Sequence, residues 1–245
     1  MRCNILFYFF ALLPLSVFAQ VGEHRSELAV GVSGGCILSE IGFTPEVNQY
    51  QHSGLTGGIT VRYTSEKYFK SICAIVAELN YAQIGWKEKI LDSDDLLVIN
   101  SVTGQAEAYQ RDMAYIQLPV LARLGWGRER KGMQFFFQAG PQLGMFLNEH
   151  TKKNYNVTER PLGVTAQDSM AVENKFDFGI TAGLGLEYSH PKVGHFMLEG
   201  RYYYGLGDIY GNSKRDYFAR SNILNITIKL TYLFDISRTK NSKIK

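Results

Sequence analysis

Between Phe176 and Tyr188 the residues Phe176, Phe178, Ile180, Ala182, Leu184, Leu186 and Tyr188 take every second place, and Asp177, Gly179, Thr181, Gly183, Gly185 and Glu187 fill the gaps. A period of two sends successive side chains to opposite faces, so this stretch predicts a β-strand. The same alternation predicts seven more strands, at about 27–36, 55–64, 72–84, 110–124, 133–147, 196–206 and 222–234. These segments run about 10 to 15 residues, longer than the usual 5 to 6 of soluble sheets and long enough for a tilted membrane strand of about 9 to 11. Their connections alternate as well: about 18, 25, 28 and 15 residues after the odd segments, but only about 7 or 8 after the even ones. An up-and-down barrel with both chain ends in the periplasm has this asymmetry, with long loops outside and short turns inside. An even strand number also closes the sheet and leaves no ladder group unpaired in hydrocarbon. The expected fold is therefore all-β, an eight-stranded antiparallel up-and-down transmembrane barrel with long external loops and short periplasmic turns. The expected domains are a signal peptide over 1–19, the barrel over 20–235 and a basic periplasmic tail over 236–245.

Alternation alone does not say which face looks outward. Charge does: the polar faces carry Arg62, Glu78, Arg123, Asp177, Glu187, Glu199, Arg201 and Lys229, four of each sign. An isolated charge inside a closed barrel costs several kcal/mol, and equal numbers allow pairing. Small residues on the same faces, among them Gly31, Gly58, Gly140, Gly179 and Gly183, make room for long side chains in a lumen that eight strands leave only wide enough to be filled. A packed polar plug is predicted, with a salt-bridge network of Arg62, Glu78, Arg123, Glu187, Glu199, Arg201 and Lys229. Strand direction puts Arg62, Arg123, Glu187 and Lys229 in the periplasmic half and Glu78, Glu199 and Arg201 nearer the middle. On the apolar faces Tyr63, Trp126, Tyr188, Phe196 and Phe234 fall near periplasmic strand ends and Phe176 near an external end, where amphipathic rings suit a membrane boundary.

Composition narrows the picture further. Of 245 residues, 24 are Gly, 15 Tyr and 15 Phe against 6 Pro, which excludes a coiled coil or a long disordered chain. The formal charge of +3 is too small and too scattered for a nucleic-acid partner. Met1 to Ala19 has an early Arg2, an uncharged apolar stretch and small residues at Val17 and Ala19, the three parts of a secretory signal. Cys3 would leave with it. Cys36, expected at the external end of the first strand, and Cys73, at the periplasmic start of the third, should lie too far apart to pair, so two free thiols are predicted.

Four stretches together, ELNYAQIGWK (Glu78–Lys87), YIQLPVL (Tyr115–Leu121), AGPQLG (Ala139–Gly144) and RYYYGLGDI (Arg201–Ile209), resemble the PorT-like outer-membrane β-barrel domain of Bacteroidetes. The likeness spans nearly the whole chain after the signal. It implies the fold and the outer membrane as location, and ties the namesake to a protein-secretion and gliding apparatus; it supplies no catalytic residue. The ending Leu230-Thr-Tyr-Leu-Phe234 is similar to the C-terminal signal of barrel assembly, although a basic tail follows it.

Enzyme chemistry finds no support. None of the five histidines has a metal-ligand spacing to Cys or another His, and the Gly183-Leu-Gly185 run lacks the third glycine of a dinucleotide fingerprint. A trio of His150, Asp168 and Ser169 would sit on one long loop without a rigid scaffold. No cofactor and no catalytic or metal residue is expected. The expected role is structural or interactive, through external loops at Gly85–Tyr109 and Asn148–Lys175, in a monomeric barrel whose partners are outer-membrane lipids and envelope or secretion proteins. The alternatives are an accessory of a secretion or envelope-assembly machine, a lipid-modifying enzyme with Ser, His and an acid at one barrel mouth, and a small channel.

Overall fold

The computed structural model describes residues 23–154, 170–211 and 218–238, so the signal segment, most of the basic tail and the pair Asp168 and Ser169 lie outside the described residues. Eight long strands form: β1 (Glu23–Thr44), β3 (His52–Tyr68), β4 (Ser71–Lys89), β5 (Ala108–Gly127), β6 (Gly132–Lys153), β7 (Phe176–His190), β8 (Gly194–Gly205) and β9 (Arg220–Ser237). A two-residue strand, β2 (Gln49–Tyr50), adds to the edge of β4. All neighbours are antiparallel, in the order β4-β3-β1-β9-β8-β7-β6-β5, and β5 pairs back onto β4. The sheet thus closes on itself, with first and last long strands zipped from Leu28↔Ser237 to Thr44↔Arg220.

The three links of the short-turn end hold Phe69-Lys70, Arg128–Lys131 and Pro191–Val193. Backbone at φ +135° and +121° at Gly127 and Gly132, and +112° at Gly194, is what lets two of these turns close so tightly. The opposite end bears the longer links, but they are shorter than the sequence pattern suggests because the strands run past it: β1 continues eight residues beyond Cys36 to Thr44, and β6 runs through His150 to Lys153. Cys36 is therefore mid-strand and exposed, a correction to its expected place at a strand end; it and Cys73 are free. The cause is that alternation persists in Ile37, Ser39, Ile41 and Phe43, all buried, beyond the point where the outer face stops being apolar.

Along β7 burial alternates one for one, with Phe176, Phe178, Ile180, Leu184, Leu186 and Tyr188 exposed and Asp177, Gly179, Thr181, Gly183, Gly185 and Glu187 buried. The outer wall elsewhere carries Ile59, Leu79, Leu118, Leu143, Leu198, Ile228 and Leu230, all at 42% exposure or more in the bare chain. Such a continuous apolar belt outside a polar interior is the inverse of a soluble barrel.

Candidate functional site

The lumen is filled in layers, and each layer follows from which residues the register brings level. At the short-turn end the β5–β6 turn folds back across the opening. Its Glu129 accepts hydrogen bonds from Arg25 Nε of β1 at 3.0 Å and Lys67 Nζ of β3 at 2.5 Å, and the neighbouring Arg130 reaches Glu27 at 3.1 Å. Burial alone would raise the Glu129 carboxyl, but these bonds and the two cationic charges outweigh it and hold it below the usual carboxylate range.

One layer deeper, Glu187 of β7 is the hub. Arg62 Nη1 donates to it at 2.7 and 2.8 Å, Arg123 Nη2 donates to it as well, and His195 Nδ1 lies at 2.7 Å. Arg123 also lies over the Phe136 ring, 3.8 Å from its centroid, and donates to Gln134 Oε1 at 2.9 Å. Gly185 leaves the space for Phe136, since a Cβ there would stand 2.6 Å from Cζ of that ring.

The middle layer pairs Glu78 and Glu199 with Arg201 and Lys229. Arg201 donates to Glu78 at 2.6 and 2.8 Å and lies 2.7 Å from Glu199; Lys229 Nζ donates to Glu78 at 2.6 Å and stands 3.4 Å from Glu199. Asn80 donates to Glu78 and Gln138 to Glu199. Two acids and two bases cancel within a few ångströms. Lys229 sits here because it is the direct cross-strand partner of Glu199, which moves it from the expected periplasmic half to the middle layer. Gly183, opposite Arg201, makes this layer possible: a Cβ there would meet Arg201 Cγ at 2.7 Å.

Toward the long-loop end the polar plug gives way to an apolar one, which the charge pattern did not foretell. Ile37, Ile41, Phe43, Ile84, Trp86, Tyr109, Met113, Tyr115 and Tyr203 pack with Val172, Ile209, Tyr210 and Phe218 from the loops. Phe43 lies 4.4 Å from Phe218 and 5.5 Å from Trp86, centroid to centroid. Arg111 ties the loops to the wall, donating to Tyr210 Oη at 3.0 Å and to the Met170 carbonyl at 2.6 Å while lying over Trp86. Just beneath, Tyr203 donates to Asp177 at 2.5 Å.

The boundary aromatics named from sequence all stand on the outer wall: Tyr63, Trp126, Tyr188, Phe196 and Phe234 are 37–49% exposed and Phe176 is 72% exposed. The pattern missed partners that only cross-strand register reveals. Trp126 stacks on Phe135 at 6.0 Å and donates to Ser71 Oγ, and Phe196 lies 5.0 Å from Tyr232, whose hydroxyl donates to the Val193 carbonyl.

Sequence reasoning also missed a Ser, His and Asp constellation at the short-turn mouth. Ser189 Oγ lies 2.8 Å from His195 Nδ1, and His195 Nε2 lies 3.0 Å from both oxygens of Asp235. Its geometry is that of an ion-paired clamp. A catalytic base needs a free lone pair on one ring nitrogen, whereas here carboxylates of Glu187 and Asp235 accept at both nitrogens, which suits the doubly donating imidazolium. Ser189 itself is 1% exposed and donates to Glu187 at 3.1 Å, so its oxygen is closed off from solvent. The three residues clamp β7, β8 and β9 together. His150 stands on β6, and among the described residues no cluster of His, Cys, Asp and Glu could hold a metal ion.

Residues 18–211 match the family described as outer membrane protein beta-barrel domain. The chain belongs to this family. The protein is an integral outer-membrane β-barrel; its short turns accordingly face the periplasm and its long loops the exterior. Solved structures similar to it include the attachment invasion locus protein Ail of Yersinia pestis, at 14% identity and a TM-score of 0.33, covering 86% of this chain and 99% of that one. Neisserial surface protein A aligns at 9% identity and a TM-score of 0.39 over 84% of this chain and 97% of that one. OprG from Pseudomonas aeruginosa aligns at 12% identity and 0.39 over 87% and 98%. No curated protein matches the chain.

Proposed function

We propose that this outer-membrane barrel is an interaction protein that presents shaped external loops on a sealed wall, and that it neither catalyses a reaction nor conducts solutes. The observation that carries this reading is the loop between β4 and β5. It is built from two small hairpins, bridged at Leu91↔Leu97 and Ile99↔Ala106. Asp92 Oδ1 accepts from the backbone N–H of Asp94 and Leu96, and Asn100 Oδ1 from those of Val102 and Thr103, so the loop has fixed turns of its own. This order holds Leu96, Leu97, Ile99 and Val102 at 63, 41, 57 and 83% exposure on the outer side of the membrane. Ordered apolar groups left in water mark a contact surface, because covering them with a partner releases the cost of their hydration. A photo-cross-linking residue placed at Val102 on intact cells should capture a discrete partner, and a Leu96→Ser, Ile99→Ser double variant should lose it. Retention of every cross-linked species by that variant defeats the proposal.

The PorT-like resemblance supports a narrower form of the same reading, in which the partner belongs to a secretion or envelope-assembly machine. Accessible charge at the periplasmic rim supports it: the Glu23 and Arg238 side chains are 73% and 36% exposed there. Co-purification of the intact barrel with a periplasmic or inner-membrane complex tests it.

A further inference from the structure

Above the lipid belt the β3–β4 ladder ends at Thr56↔Ala82, although β4 continues to Lys89 and Gly54 of β3 stays packed against Gln83. His52 at the start of β3 lies across Gly85 of β4, where a Cβ would meet the ring's Cδ2 at 3.3 Å, and its Nε2 reaches Asp112 Oδ1 of β5 at 2.6 Å. Beside this crossing, on the outside of the barrel, is a recess of about 410 Å³, within the range of small-molecule sites. Gln83, Gln110, Asp112, Asn148 and Lys152 supply its polar wall, and Tyr81 stands at its lower edge. Gln110 Nε2 donates to Asp112 at 2.7 Å and Lys152 Nζ lies 3.1 Å from the same carboxylate, which fixes the wall. The buried His52 Nδ1, by contrast, has no hydrogen-bond partner.

We infer that this recess binds the sugar head of an outer-leaflet glycolipid. Below the recess the same face carries the apolar belt: Leu79 and Tyr81 of β4, Leu118 of β5 and Leu143 and Met145 of β6 are all 42–51% exposed. A ligand with a polar head and apolar chains fits that sequence of surfaces, whereas a soluble ligand would use only the upper half. The chemistry of the wall selects the head. Amides, a carboxylate and imidazole offer both donors and acceptors, which hydroxyl groups of a saccharide match with both functions of each O–H. Asp112 and Glu149 outnumber Lys152 among the charged groups of the wall, which disfavours a phosphate head.

The full-length barrel in phosphatidylcholine nanodiscs, doped with digalactosyl diacylglycerol, should retain that lipid in native mass spectrometry. Asp112→Asn, which weakens the wall, and Asn148→Trp, which fills the recess from an exposed position, should each lower occupancy about tenfold. Ile228→Trp on the opposite wall should leave it unchanged. Heat-modifiable gel mobility reports whether each variant is folded. Equal retention of phosphatidylglycerol, retention of the glycolipid by a folded Asn148→Trp barrel, or binding of free lactose as tight as that of the lipid would each overturn the inference.

Discussion

Glu187 shows at the residue scale what burial does to a charge. It is 2% exposed and takes bonds from Arg62, Arg123 and His195, so removing it strands cations in a place water does not reach. Breaking one side of such a buried network costs about 3–5 kcal/mol. Glu187→Gln should therefore lower the urea midpoint of the folded barrel markedly, whereas Asp94→Asn, exposed in the external loop, should move it little; equal midpoints would refute the hub. Glu129 offers a pH test at the periplasmic cap. Its folded carboxyl ionises more readily than the ordinary value of 4.5, so its contribution is fully present above about pH 4.5 and fades as pH falls through the lower folded value. The Arg128–Lys131 turn should lose hydrogen-exchange protection relative to the intrinsic rate in that acid range, and Glu129→Gln should lack that protection at every pH. Of these residues, the sequence offered Glu187 through its place in an alternating strand. It offered no sign of Glu129, because a turn residue has no period and its partners Arg25 and Lys67 come from two other strands.

Elements behave as the period of two requires. All eight long strands were legible, since one face must meet lipid and the other the lumen, and a slip of one residue would exchange the two. Their ends were not legible, because above the membrane the inner face stays apolar while the outer face turns polar, and the strand simply continues. Closure depends on the seam between β1 and β9. Gly31 there leaves no space for a side chain: a Cβ would stand 1.8 Å from the Tyr232 carbonyl oxygen. Gly31→Ala should reduce the heat-modifiable folded fraction, while Gly200→Ala on β8, where a Cβ meets nothing within 4 Å, should not. If both variants fold alike, the seam is not the tight point of the barrel.

For the whole molecule, the lumen is blocked three times: by the Glu129 cap, by the ion-paired layers around Glu187 and Glu78, and by the aromatic plug around Phe43 and Trp86. In planar bilayers the protein should give no conductance steps above the lipid baseline, and a steady channel would show that these layers open. A sealed lumen supports the proposal that the outer surfaces, the loop hairpins and the lateral recess, carry the function.

The sequence by itself determined the strand count, the direction of each face and the signs of charge inside, because all three follow from alternation and from the cost of charge in hydrocarbon. Only tertiary structure decided which charges are partners, that Lys229 joins Glu199 rather than Glu187, and that a polar plug ends in an aromatic one. Pairing across a closed sheet depends on register between strands more than a hundred residues apart, as Arg62 with Glu187 and Lys229 with Glu78, and no local pattern carries that information.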